Sequence, residues 1–130
     1  MNISKFTQKS IQAINQLEKV AYDFGNQEIE QEHLLYSLLH QEDSLILKLV
    51  EKMEINKEHF LNRLEGFIGK RVKVSGGQPY VGQYLNKVLI NAEDEAKAMG
   101  DEYVSVEHLF LSILKNESPS MKQFFREYGI

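Results

Sequence analysis

From residue 4 to residue 24, the apolar side chains Phe6, Ile14, Leu17, Ala21 and Phe24 recur at three-, four- and eight-residue intervals. That spacing predicts one helix with a single apolar face, and Gly25 follows where a left-handed stop would end it. Further along, Leu85, Val88, Leu89, Ala92, Ala96 and Met99 repeat the stripe, and Gly100 follows it. The phrases IEQEHLLYSLL (29–39) and VSVEHLFLSIL (104–114) lie at the same offset of 75 residues.

Sliding the chain by 75 pairs residues 1–55 with 76–130 without a gap, and eleven pairs are identical, Gly25/Gly100, Glu32/Glu107, His33/His108 and Ile55/Ile130 among them. Matches at the turn and at the far end mark an internal duplication rather than one shared tripeptide. Helices are predicted at about 31–41 and 106–116, then 45–53 and 120–128, with a fourth at 57–68 after Asn56. Ser105 suits the cap of the second EHL helix, and Pro119 suits the first turn of the next. The pattern reads as helical throughout. The expected fold is all-α: two tandem, pseudo-twofold-related helical repeats packed into one compact domain, because one 55-residue unit closes a core poorly alone. Repeat one runs over about 1–68, a Gly- and Pro-bearing linker over about 69–80, and repeat two over about 81–130. No counterpart of the fourth helix follows Ile130, so the sequence is expected to be a piece truncated before the last helix of its second repeat.

Composition narrows the function classes. With 42% apolar and 26% charged residues, the chain has the balance of an ordinary globular domain. A net charge of −4 argues against a nucleic-acid partner, which would need a basic face. The one cationic run, Lys70-Arg71-Val72-Lys73, reads as a solvated linker. With no cysteine, thiolate metal sites, disulfides and cysteine nucleophiles are excluded, which fits a reducing compartment. The N-terminus is polar rather than signal-like, and no apolar run could span a bilayer, so no membrane partner and a cytoplasmic location are expected.

The candidate chemistry is sparse. Glu32 and Glu107 sit in the first turns of the EHL helices, where a carboxylate favours the helix dipole. A duplicated fold would also give each an equivalent pocket, able to hold a guanidinium on the carboxylate and a phosphate on free N–H groups. Thr7 reads as a helix cap, and Asp101, after Gly100, as a loop residue bonding its own backbone. Glu30-x-x-His33 matches half of a di-iron bundle motif, but the second copy reads Ser105-x-x-His108. Both histidines are expected to bond nearby backbone or close the contact between repeats, with no metal bound. No G-x-x-x-x-G-K-[ST] motif and no Ser/His/Asp spacing is present, so no catalytic residue is expected.

The motifs KFTQKS, FGNQEIEQEHLLYSLL, VSGGQ and LNKVLINAEDEAKAMGDEYVSVEHLFLSIL together resemble the N-terminal domain of the Clp ATPases, with its two Clp repeats. Within that family the GDEYVSVEH run and the glycine-bearing linker are most similar to the ClpB disaggregases. The resemblance covers the whole chain. It implies a substrate-recruiting domain for unfolded or aggregated clients, and adaptor proteins as further partners. It also implies a monomeric fragment, a homohexameric parent, and ATP and magnesium only in modules outside these residues. It assigns substrate binding to Thr7, Asp101 and Glu107. By analogy with ClpC-type domains, it alternatively makes Glu32 and Glu107 phosphoarginine or anion pockets that feed a Clp protease. Positions matching the family's groove leucines are Asn91, Glu95 and His108, all polar here. Phe6, Tyr80, Tyr84 and Tyr103 are the candidates to supply apolar groove surface instead.

Overall fold

The computed structural model describes residues 3–130. A 3₁₀ turn at Ile3–Lys5 leads into α1 (Gln8–Asn15), α2 (Leu17–Asp23), α3 (Gln31–Leu39), α4 (Leu45–Lys52) and α5 (Lys57–Gly69). The second repeat supplies α6 (Gln83–Ala98), α7 (Val106–Lys115) and α8 (Pro119–Arg126). Helix starts follow from local chemistry. The Thr7 hydroxyl accepts from Ser10 N at 3.2 Å, Ser44 from Leu47 N at 3.1 Å, and Asn56 from His59 N at 3.0 Å. Each satisfies an N–H that the first helical turn leaves orphaned. Ser118 caps α8 with Pro119 in its first turn. Gly25 and Gly100 take φ of 76° and 73°, in the left-handed region that ends a helix.

Two expectations need correction. The stripe over 4–24 is not one helix: α1 starts at Gln8, Phe6 lies outside it, and Gln16 separates α1 from α2. Backbone bonds from Gln16 N to Gln12 O and from Val20 N to Gln16 O still run through the break, so the two pieces form one rod with a hitch. The chain is also not purely helical. Two-residue strands β1 (Glu28–Ile29) and β2 (Tyr80–Val81) pair in parallel, and Phe6 forms a parallel bridge with Val104.

These pairings express the duplication. Ile29 pairs with Val81 and Phe6 with Val104, and because Phe6 and Val81, like Ile29 and Val104, lie 75 residues apart, the two pairings are equivalent under the repeat. The segment leading into α1 therefore binds the one leading into α7, while the segment leading into α6 binds the one leading into α3. Gly82 N donates to Ile29 O at 2.8 Å and Thr7 N to Val104 O at 2.9 Å. Such short pairings satisfy backbone groups at the inter-repeat junction, where Ile29 and Val104 are buried. Inside each repeat, Ser37 Oγ donates to Ala13 O and Ser112 Oγ to Val88 O, both at 2.7 Å.

The core runs through both repeats. α3 is buried nearly all round, since α5 covers the side that α7 leaves more open. Phe60, Leu64, Phe67 and Ile68 on α5 recur at helical spacing and are buried. Phe60 and Phe67 meet Phe124 of α8 with ring centroids 4.9 and 5.4 Å apart, edge to face.

Candidate functional site

Both EHL histidines cap their own helices. Nδ1 of His33 accepts from Glu30 N at 2.8 Å, and Nδ1 of His108 accepts from Ser105 N at 2.9 Å. An accepting Nδ1 puts the proton on Nε2, which lies 2.9 Å from Asn26 Oδ1 for His33 and 2.8 Å from Asp101 Oδ2 for His108. Burial, reinforced by the Arg71 charge, lowers the His33 pKa to about 4, so the ring is neutral. Both ring nitrogens are engaged locally, which is the backbone role expected for them. Asp101 serves the histidine rather than its own loop backbone. Among the described residues no group of three or more His, Cys, Asp or Glu is placed to hold a metal ion.

Glu30 ties the repeats together. Its buried carboxylate accepts from Leu85 N at 2.7 Å and Tyr84 N at 3.2 Å, capping α6 from the other repeat. Gly82 is required there because a Cβ would run into this carboxylate. Burial raises the Glu30 pKa against these hydrogen bonds. Gln31 works in parallel, donating to Tyr84 O and Asn116 O and accepting from Ser118 N.

The two glutamates expected to form equivalent pockets are not equivalent. Glu32 is 1% exposed, whereas Glu107 is exposed. Residues from the end of α5 and the following linker cover Glu32, and no such cover lies over α7 among the described residues. Arg71 departs from the solvated linker expected of its charge run. Its Nη1 lies 2.9 Å from Glu32 Oε2 and its Nη2 2.7 Å from Glu28 Oε1. Ser120 Oγ of α8 donates to the same Glu32 oxygen at 3.0 Å, while Glu32 Oε1 is buried without a partner. These groups line a cavity of about 510 Å³, walled by Phe67, Tyr80 and Val74, with Lys70 also lining it. Arg71, Glu28 and Ser120 escaped the sequence reading. The only signal for Arg71 was its charge, because its partners lie 43 and 39 residues away.

Thr7 bonds Val104 directly, and Asp101 and Glu107 each lie three residues from Val104 along the chain. Thr7 N bonds Val104 O, Asp101 holds His108 of α7, and Glu107 occupies the first turn of the same helix. Tyr103, beside Val104, is 49% exposed, and Tyr80 and Tyr84 are also exposed, whereas Phe6 belongs to the core. The positions read as groove-lining have polar partners within the chain. Asn91 Nδ2 donates to Asn116 Oδ1 at 3.0 Å, Glu95 pairs with Lys115 at 2.8 Å, and His108 holds Asp101.

The Clp repeat (R) N-terminal domain family matches residues 5–128. The chain belongs to this family. As a Clp repeat domain it is 41% identical to the chaperone protein ClpB of Nitratidesulfovibrio vulgaris over all of its own length and 16% of that protein's. It is 42% identical to ClpB of Porphyromonas gingivalis over 88% of its length and 13% of the relative's. The Clp repeat domain thus spans about a sixth or less of these curated relatives. Its fold is that of the Hsp104 N-terminal domain from Candida albicans, with a TM-score of 0.84 at 22% identity over 97% of this chain and 83% of that one. It is also similar, at a TM-score of 0.75 and 16% identity, to a ClpV N-domain solved in complex with a VipB peptide, over 95% of this chain and 79% of that one. No helix among the described residues is long and apolar enough to cross a membrane.

Proposed function

We propose that this Clp repeat domain is a binding module without catalytic activity, recruiting unfolded or aggregated polypeptide segments to a ClpB-type chaperone in the cytoplasm. The observation that carries it is the inter-repeat junction, where Thr7 bonds Val104 and where Asp101, exposed Tyr103 and Glu107 lie within three residues of Val104 along the chain. Whole-chain similarity to ClpB proteins supports the setting, and the ClpV–VipB complex supports peptides as ligands of this fold. The domain itself acts as a monomer, without cofactor, nucleic acid or membrane. ATP and magnesium serve other modules of a homohexameric parent. Weak capture by several such domains raises the effective concentration of a client while still letting it leave.

The test must separate binding from folding, because Thr7 caps α1 and Asp101 holds His108. Asp101→Asn keeps an acceptor for His108, as Asn26 does for His33, and Glu107→Gln alters an exposed side chain. Both variants are expected to lose affinity for labelled unfolded casein in an anisotropy titration, with unchanged circular dichroism and melting. Wild-type affinity in both would remove the assignment.

A second reading has an observation of its own, the Glu28–Glu32 pair already holding a guanidinium. It makes the cavity a receptor for phosphoarginine-marked or adaptor proteins feeding a Clp protease, the guanidinium on the carboxylates and the phosphate towards Lys70. Saturable amide shifts near Glu32 and Glu107 on titrating free phosphoarginine would favour it. A response to casein alone would favour the first reading.

A further inference from the structure

We propose that Arg71 is a resident, displaceable occupant of the Glu28–Glu32 cavity, an internal ligand through which the inter-repeat linker governs access to a guanidinium site. The inference rests on the second reading above, that this cavity takes a cationic ligand.

The geometry is that of a ligand bridging two carboxylates. Arg71 spreads its two terminal nitrogens over two carboxylates, one contact to each, rather than gripping either with both prongs. Glu32, nearly fully buried, keeps one oxygen without a donor. Two carboxylates thus face one guanidinium. A guanidinium that engaged both Glu32 oxygens would make the paired contact Arg71 does not make. Lys70, the other cation of the cavity wall, is turned to the Phe67 ring, 5.0 Å from its centroid.

The segment that carries Arg71 is tied down lightly. Arg71 N bonds Ile68 O, Asn26 Nδ2 holds Val72 O, Val74 N bonds Gly25 O, and Gln27 Nε2 holds Gln78 O. Val72 is 79% exposed, so little apolar burial anchors the strap. Gly76 and Gly77 follow with φ of 77° and 88°, a backbone that lets the strap turn away sharply. Glu28 belongs to β1, which pairs with β2 at the far end of the strap, so displacing Arg71 would alter the connection between the repeats.

The probe is ethylguanidinium, titrated at constant ionic strength against wild type, Arg71→Ala and Glu28→Gln, with amide shifts of Glu32, Ser120 and 70–74 as readout. If Arg71 fills the site about nine-tenths of the time, removing it tightens apparent binding about tenfold. Glu28→Gln, at a half-buried position, takes a carboxylate from Arg71 and from the probe alike and is expected to bind the probe more weakly than Arg71→Ala. In Arg71→Ala the probe should also raise the melting temperature, and Glu32→Gln added to that variant should abolish both effects. Equal affinity in all three proteins would overturn the displaceable occupant while leaving a guanidinium site in place. Absence of saturable binding in all of them would defeat the underlying reading too. Should Arg71→Ala fail to fold, Arg71→Met, which keeps the aliphatic stem and removes the charge, replaces it in the same comparison.

Discussion

His33 shows how a residue that looks catalytic can be structural. Neutral and fully buried, it needs an unprotonated Nδ1 to accept from Glu30 N. Its pKa is about 4 in the fold and near 6.5 when unfolded, so the unfolded chain binds the extra proton between those values. The stabilisation is complete above about pH 6.5 and is lost as pH falls towards 4, by about 3 kcal/mol at most. Urea midpoints between pH 7 and pH 4 should therefore drop in wild type. Glu30, whose pKa burial raises, acts in the opposite sense, gaining stability as it protonates. The variant His33→Gln removes the histidine contribution, and its profile should be flatter; an unchanged profile would assign the slope to other groups. The histidine's local role was legible from its place at a helix start. The choice of Asn26 and Asp101 as partners was not, because loop side chains seven residues away have no periodic signature.

At the scale of elements, periodicity located α3, α4, α5, α7 and α8 to within a residue or two, and the glycine stops were right because φ near 75° admits few other residues. The strands were missed for a physical reason. Two residues cannot display an alternation, and their stability comes from a partner far along the chain. The false continuation of the first helix to residue 4 has a related cause. Phe6 fits the apolar stripe, yet its burial comes from pairing with Val104. Ser37 and Ser112 offer a test of how far the repeats are energetically alike. Ser37 donates at 2.7 Å to a carbonyl of α1, and Ser112 at the same distance to one of α6. Ser37→Ala and Ser112→Ala are each expected to lower unfolding free energy by about 1 kcal/mol, the usual net value of such a bond. Costs differing severalfold in urea unfolding would show that the two copies have diverged in more than sequence.

Over the whole molecule, the crossed pairings make the repeats interdependent. Glu30 of repeat one caps α6, Gln31 holds Asn116 and Ser118 in the loop between α7 and α8, and Arg63 of α5 pairs with Glu127 beyond α8. Residues 1–75 alone would keep α3 without its α6 and α7 partners, leaving part of its buried surface uncovered. That fragment is expected to give weak helical circular dichroism and no cooperative melt, whereas an intact, sharp transition would show the repeats to be autonomous. The sequence displayed the twofold repetition but not this exchange, since an offset between like residues does not say which unlike residues touch. The asymmetry of the glutamates was hidden for the same reason. It arises from α5 and its linker, which lie outside the 55 matched positions.

The exchange also orders events in time. As the polypeptide leaves a ribosome, Phe6 has nothing to pair with until Val104 has been made, and Glu30 has no α6 terminus to cap until Tyr84 and Leu85 emerge. The first half must therefore wait, incompletely closed, for the second, and the apolar surface it shows meanwhile is prone to aggregation.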